Sequence, residues 1–185
     1  MSMFRWTAPL LKLASKRRSD DHFVRVAASL RAFVPSGGQL LDLGGGTGEL
    51  GAGVAAKLGA HVIVADATEQ VLSRVTAGPR VSVSRTSAER LPFPDAYFDA
   101  VLCSDAFHHF AEQAAAAQEM ARVVRQGGGV LLFEYEPIGF FHAVALVERL
   151  LGEPAAFLRP QELQTLMERY GIVGTTTRGS GAAYS

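Results

Sequence analysis

The feature that most constrains the fold is an alternation of short, almost uninterrupted apolar runs with longer segments of helical periodicity. Strands are predicted at residues 39–43, 61–65, 81–86, 98–104, 130–135, 172–178 and 182–185. The main helices are predicted at residues 20–34, 49–58, 68–77, 112–124 and 160–170. A strand that is apolar at nearly every position must be covered on both faces, as in parallel sheets. The pattern therefore predicts a doubly wound α/β fold, with helices on both faces of a mostly parallel sheet.

Composition narrows the class of protein further. The 185 residues are 48% apolar, carry 18 basic and 18 acidic side chains, and include one cysteine, Cys103. The apolar content supports a buried core, zero net charge argues against a nucleic-acid binder, and one cysteine excludes a disulfide framework. No run approaches the ~20 apolar residues of a membrane-spanning helix. We expect a single cytoplasmic domain without stable membrane insertion.

The most informative segment is the glycine-rich loop after the first strand, LLDLGGGTGEL at residues 40–50. Glycines there permit a sharp turn from strand to helix and the close approach of a ligand at the carboxyl end of the sheet. Residues 46–51 satisfy the dinucleotide pattern G-x-G-x-x-G, and Asp66 lies 20 residues beyond Gly46, where a ribose-binding acid belongs. Taken alone, this pattern would suggest NAD.

Two carboxylates oppose the NAD interpretation. Asp42 precedes the loop and Glu49 follows it, with no lysine or arginine between residues 39 and 56. Like charges facing a pyrophosphate in a partly desolvated site would cost several kcal/mol, to order of magnitude. A ligand with an ammonium and a sulfonium group suits this site better. S-adenosylmethionine has both, together with a ribose for Asp66.

Several motifs carry a resemblance to a known family. LLDLGGGTG at 40–48 and VIVAD at 62–66 are similar to the first two motifs of the class I S-adenosylmethionine-dependent methyltransferases. The segments at 85–110 and 127–137 are similar to the regions around that family's later strands. The chain most resembles the small-molecule branch that includes the ubiquinone/menaquinone C-methyltransferases. The resemblance implies a Rossmann-like, seven-stranded sheet and S-adenosylmethionine as cofactor, with S-adenosylhomocysteine as product.

The resemblance also implies a cofactor site made of loop and strand-end residues. These are Asp42, Gly44, Gly45, Gly46, Gly48, Asp66, Ala67, Ser87, Ala88, Ser104 and His109. Asp42 would lie beneath the ammonium group, and Asp66 would accept hydrogen bonds from both ribose hydroxyls. The family usually has an aspartate where this chain has Ser87. An uncharged serine should bind the adenine amino group more weakly, unless Glu89 takes over that role.

Catalytic candidates follow the fourth strand, where such methyltransferases face their substrate. Asp105 and His108 are candidates for a base or an acceptor-positioning group, and a base is needed only for certain acceptors. His109 is expected to pack against the loop and the cofactor. Glu134 and Tyr135 are weaker candidates, because neighbouring side chains of a strand face opposite ways and only one can face the pocket.

The chain is predicted to divide into four segments of one domain. They are N-terminal helices at 1–35, a cofactor-binding core at 36–135, a lid or substrate insertion at 136–158, and a C-terminal helix with strands at 159–185. Residues 1–18 are basic as well as apolar, so a membrane-surface helix competes with a lid. The apolar surplus of residues 138–151 is compatible with a packed helix, a substrate wall or the face of a homodimer.

The predicted function is methyl transfer to a small, apolar or aromatic acceptor, in which the protein mainly positions the reactants. One alternative is a catalytically inactive cofactor-binding module that acts through a partner, since the chain ends early in the family's seventh strand. A second is an NAD-dependent oxidoreductase, although no lysine or tyrosine hydride site is found. Cys103 and the two histidines suggest zinc, but a fourth ligand with suitable spacing is missing, so no metal is predicted.

Overall fold

The structure is a computed structural model, which describes residues 20–135, 156–176 and 183–184. The helices are α1 (Asp20–Leu30), α2 (Glu49–Leu58), α3 (Glu69–Leu72), α4 (Gln113–Val123) and α5 (Pro160–Arg169), with a 3-10 turn at Phe107–His109. The strands are β1 (Gln39–Leu43), β2 (His61–Asp66), β3 (Val81–Arg85), β4 (Phe98–Ser104), β5 (Val124–Tyr135) and β6 (Ala183–Tyr184). None of the helices in these parts is long and apolar enough to cross a membrane.

Five parallel strands form the sheet in the order β3-β2-β1-β4-β5, and β6 adds antiparallel to β5. Leu41 of β1 pairs with Ile63 of β2 on one side and with Val101 of β4 on the other. The strand order therefore reverses between β1 and β4, and a ligand crevice is expected at the carboxyl ends of these two strands. This topology confirms the predicted doubly wound α/β fold.

The two faces of the sheet have separate cores. Leu40 and Leu102 belong to the cluster covered by α1 and α2, whereas Leu41 and Cys103 belong to the cluster covered by α4 and α5. All four side chains are fully buried. Neighbouring strand residues point to opposite faces, and helices cover both, which explains why β1 and β4 are apolar at most positions and do not alternate with polar residues.

Four predicted elements differ from the structure in extent. The helix predicted at 20–34 ends at Leu30, because the chain turns at residues 31–33, and the strand predicted at 130–135 begins earlier, because Val124 already pairs with Phe98 of β4.

Residues 172–176, the described part of the strand expected at 172–178, form no strand, because the N–H of Ile172 donates to the Met167 carbonyl (3.1 Å) and closes the end of α5. The described sheet therefore has six strands rather than the seven expected. Of the helix predicted at 68–77, only α3 forms, because the chain continues in tighter turns. In one of these turns, the Val75 N–H donates to the Leu72 carbonyl (3.0 Å). The predictions for residues 1–18 and 138–151 lie outside the described residues.

Candidate functional site

The glycine-rich loop connects β1 to α2 through three residues in the left-handed region. Gly44, Gly46 and Gly48 have φ of 69°, 56° and 72°. A Cβ on Gly44 would overlap the methyl group of Ala106, so Gly44 lets this loop pack against the loop that follows β4. A Cβ on Gly46 would meet no atom of residues 20–135 or 156–176 within 4 Å. Gly44 therefore serves packing, and Gly46 presents its backbone to open space.

Asp42 lies in the core beneath the start of α2. Its side chain is buried, and Oδ2 accepts a hydrogen bond from the Gly51 N–H (3.1 Å) in the first turn of that helix. A Cβ on Gly45 would approach this oxygen to 2.5 Å, so the loop closes tightly over the carboxylate. The positive end of the helix dipole thus already faces one carboxylate, and Glu49 adds a second. This arrangement disfavours a pyrophosphate, while the predicted contact of Asp42 with an ammonium group stays a prediction.

Asp66 joins the end of β2 to the glycine loop. Its Oδ2 accepts from the Gly46 N–H (3.1 Å) and its Oδ1 from the Thr68 N–H (2.8 Å). The carboxylate is only partly buried, and Ala67 beside it is exposed. Each carboxylate oxygen has a second lone pair, so both can still accept from a ligand. An open glycine cradle beside a half-buried carboxylate fits a ribose carrying two neighbouring hydroxyls.

At the end of β3, Ser87 and Glu89 form a local pair. The Ser87 hydroxyl donates to Glu89 Oε2, and the Glu112 N–H donates to Glu89 Oε1 (3.3 Å). Partial burial raises the pKa of Glu89, but the hydrogen bonds from Ser87 and from nearby backbone N–H groups outweigh it, and the net pKa is lowered. Ala88 between them is buried in the core. The charged acceptor here is therefore Glu89, and the proton of Ser87 is directed at it.

The loop after β4 begins in a strained conformation. Asp105 has φ of 54°, which is rare for a residue other than glycine, and its N–H donates to the Phe133 carbonyl (2.8 Å) of β5. Ser104, the last residue of β4, pairs with Phe133 in the sheet. Strain held in place by neighbouring strands is typical of functional loops.

Beyond Asp105, the loop is organised by Glu134 of β5. Glu134 Oε1 accepts from the N–H groups of Ala106 (3.2 Å) and Phe107 (2.7 Å), and Oε2 lies 2.5 Å from His108 Nδ1. Both partners of the last contact are about 6% exposed. From the sequence, Glu134 was expected to be only one of the weaker candidates. The available signal was a glutamate inside an apolar strand, since a buried glutamate needs partners.

His108 also contacts the segment before α5. Its ring stacks on Phe157 with centroids 4.1 Å apart and planes at 16°, and its carbonyl accepts from the Ala156 N–H (3.0 Å). The ring of His109 is tilted against that of His108, with a centroid distance of 4.0 Å, and is only partly buried. The structure thus brings His108 and His109 together beside Asp105, at the same sheet edge as the glycine loop.

Cys103 gives the zinc interpretation no support. Burial raises the pKa of its thiol well above the ordinary value, and nearby carboxylate charges act in the same direction. The thiol is therefore protonated at neutral pH, whereas zinc binds the thiolate. No group of three potential metal ligands occurs among residues 20–135 and 156–176.

Comparisons with known proteins agree with this geometry. The Methyltransferase domain family matches residues 41–132, which run from within β1 to within β5 and include the loops after β1, β2 and β4. The ubiquinone/menaquinone biosynthesis C-methyltransferase UbiE of Chromobacterium violaceum is 34% identical over 124 residues, covering 63% of this chain and 49% of that protein. The UbiE protein of Cupriavidus metallidurans is 33% identical over 176 residues, covering 80% of this chain and 72% of that protein.

The match to solved structures concerns the fold. A chain from the complex between the Haloferax volcanii Trm112 methyltransferase activator and a methyltransferase superposes with a TM-score of 0.75 at 20% identity, covering 96% of this chain and 78% of that one. This chain spans about half the length of the Chromobacterium relative and 72% of the Cupriavidus one. Together with the glycine loop and the reversal of strand order beside it, these matches show that the chain belongs to the class I S-adenosylmethionine-dependent methyltransferases.

Proposed function

We propose that this chain transfers a methyl group from S-adenosylmethionine to a small, apolar or aromatic acceptor. The observation that carries the proposal is the contact between Gly46 and Asp66, whose 3.1 Å hydrogen bond joins the open glycine loop to a half-buried carboxylate. This pair offers both a close backbone approach and two acceptor oxygens for a diol. The acidic residues Asp42 and Glu49 at the start of α2 favour a cationic ligand over a dinucleotide.

Each part of the cofactor has a candidate partner in this site. Asp66 would hold the ribose, Gly44 to Gly48 would border the methionine moiety, and Glu89 would accept from the adenine amino group. Bound there, S-adenosylmethionine supplies an already activated methyl group, so the protein's task is to hold the acceptor in line and exclude water. Asp105 and His108 are the proposed groups on the acceptor side.

Aromatic side chains near His108 support an aromatic acceptor. Phe157 stacks on the His108 ring, and Phe110 packs edge-on against Phe107, with a centroid distance of 5.6 Å. Phe110 and Phe157 are both only partly buried, which leaves ring surface for a ligand. The relatives named above are C-methyltransferases of quinone biosynthesis, and a hydroxylated aromatic ring is therefore the acceptor class we propose.

Two measurements test the proposal. S-adenosylhomocysteine should raise the melting temperature progressively as its concentration rises above its Kd, whereas NADH should not. Isotopically labelled S-adenosylmethionine should then transfer label to phenolic or quinol compounds in a metabolite extract. Stabilisation by NADH alone would overturn the cofactor assignment. Binding of S-adenosylhomocysteine with no labelled product from any extract would instead favour the inactive module acting through a partner.

The cytoplasmic location and the homodimer also stay predictions. Analytical ultracentrifugation of the full chain with and without S-adenosylhomocysteine would measure the oligomeric state directly. A monomer under both conditions would remove the homodimer from consideration.

A further inference from the structure

Glu134 gathers hydrogen-bond donors from three consecutive residues. The N–H groups of Ala106 and Phe107 share Oε1, and the His108 ring nitrogen Nδ1 faces Oε2 at 2.5 Å. Both Glu134 and His108 are more than nine-tenths buried. A buried carboxylate is tolerated only when its oxygens are hydrogen-bonded, and Glu134 meets this requirement entirely with the loop after β4.

The contact between Glu134 and His108 determines where the ring proton lies. At 2.5 Å, a nitrogen and a carboxylate oxygen must share one proton, since two bare acceptors would repel each other. Two backbone N–H groups already donate to Oε1, so we assign the shared proton to Nδ1, which then donates to Oε2. In a neutral imidazole that carries its proton on Nδ1, Nε2 is a bare acceptor.

Among residues 20–135 and 156–176, only Nδ1 of the His108 ring has a hydrogen-bond partner, and Nε2 has none. The ring stacks on Phe157, contacts the tilted ring of His109 and is anchored through Nδ1, so it cannot easily turn to exchange its two nitrogens. An acceptor with no partner among the described residues, on a buried ring at the sheet edge that holds the glycine loop, is suited to a ligand that brings a proton.

We propose that Glu134 is the positioning residue of this site: it keeps His108 protonated on Nδ1, so that Nε2 can accept a proton from a hydroxyl of the acceptor. The proposal rests on the proposed function, because it requires an acceptor that ionises. In the step, the acceptor O–H bond breaks, its electron pair stays on the oxygen, and an Nε2–H bond forms. The resulting imidazolium is stabilised by the Glu134 carboxylate and later releases its proton to solvent.

A Glu134→Gln variant separates this role from that of a structural anchor. The amide oxygen can still accept from the Ala106 and Phe107 N–H groups, but the amide NH2 then faces Nδ1 and donates to it. His108 must therefore carry its proton on Nε2, where it can no longer accept one. Glu119→Gln is the matched control, because Glu119 also accepts from a backbone N–H (Leu91, 2.7 Å) but lies on α4 beside Arg122.

The first readout needs no acceptor. Long-range proton–nitrogen NMR spectra of the ¹⁵N-labelled full chain, with S-adenosylhomocysteine bound, distinguish the two tautomers, and loss of the signal in a His108→Gln variant assigns it. We expect the Nδ1–H form in wild type and in Glu119→Gln, and the Nε2–H form in Glu134→Gln. An Nε2–H form in the wild type would overturn the proposal, even if Glu134→Gln failed to fold.

The second readout is kinetic and uses 2-prenyl-1,4-naphthohydroquinone with labelled S-adenosylmethionine. Glu134→Gln should lower kcat by about 10²–10⁴-fold, the range for loss of a general base, with KM and S-adenosylhomocysteine affinity near wild type. Glu119→Gln should leave kcat unchanged. A changed tautomer with wild-type kcat would refute the role of Glu134. If the wild type does not methylate this probe, the proposed acceptor class is wrong. The role of Glu134 is then decided only by the tautomers found in wild type and in Glu134→Gln.

Discussion

Replacement of Gly44 and of Gly46 by alanine makes a matched pair of perturbations of the glycine loop. Both residues have positive φ, 69° and 56°, so each alanine incurs the left-handed strain of about 1–2 kcal/mol. A Cβ on Gly44 would overlap the methyl group of Ala106, whereas one on Gly46 would meet no neighbour in the described part of the chain. Overpacking of this kind costs about 1–3 kcal/mol. The free energy of unfolding should therefore fall by about 2–5 kcal/mol in Gly44→Ala and by about 1–2 kcal/mol in Gly46→Ala.

The assay is urea unfolding followed by far-ultraviolet circular dichroism, with free energies compared at equal slope. Alanine also restricts the unfolded chain, and this effect stabilises the fold to the same extent in both variants. It therefore cancels when the two free energies of unfolding are compared. The difference of about 1–3 kcal/mol then measures the packing of the two loops against each other. Equal destabilisation by Gly44→Ala and Gly46→Ala would refute the contact between Gly44 and Ala106.

Ligand binding should rank the same two variants in the opposite order. The methyl group introduced by Gly46→Ala would project into the open space where we propose the cofactor lies, and the affinity of this variant for S-adenosylhomocysteine should fall at least about tenfold. Gly44→Ala, measured below its unfolding midpoint, should bind more tightly than Gly46→Ala. Unchanged affinity in Gly46→Ala would mean that the cofactor lies elsewhere.

Three further predictions concern single side chains. Asp66→Asn should weaken S-adenosylhomocysteine binding by about 1.5–3 kcal/mol in titration calorimetry, and unchanged affinity would exclude Asp66 from the ribose site. The hydrogen bond from Arg122 lowers the pKa of Glu119 below 4.5, so this pair stabilises the fold above pH 4.5 and loses its effect as pH falls through the lowered value. Glu119→Gln should therefore lose about 1 kcal/mol at pH 7 and progressively less as pH falls below 4.5, and a loss that does not change with pH down to acid unfolding would contradict the assignment. Burial raises the pKa of Cys103, so its thiol should resist Ellman's reagent at pH 8 until urea unfolds the protein, whereas rapid native reaction would contradict the buried position.

Local patterns in the sequence predicted much of the candidate site. The glycines of the loop and Asp66 at the end of β2 were predicted from the sequence, because a strand end, a turn and a helix start are close together in the chain. Their placement in one crevice followed from the parallel sheet. Side-chain partners across the fold were harder to predict. Glu134 and His108 are separated by 26 positions and meet because β5 lies beside β4.

The sequence by itself determined that the sheet is parallel and covered on both faces, since strands such as Val62 to Ala65 leave no polar face for solvent. It also determined where the chain turns sharply, because only glycine readily adopts the positive φ of Gly44 and Gly46. Tertiary structure alone decided which carboxylates are already engaged. The Asp42 carboxylate accepts a hydrogen bond from the first turn of α2, and the Glu134 carboxylate contacts the loop that carries His108. Neither contact could be predicted from the spacing of residues along the chain. The physical reason is that a hydrogen bond requires distance and direction in space, which neighbouring strands supply only after the chain has folded.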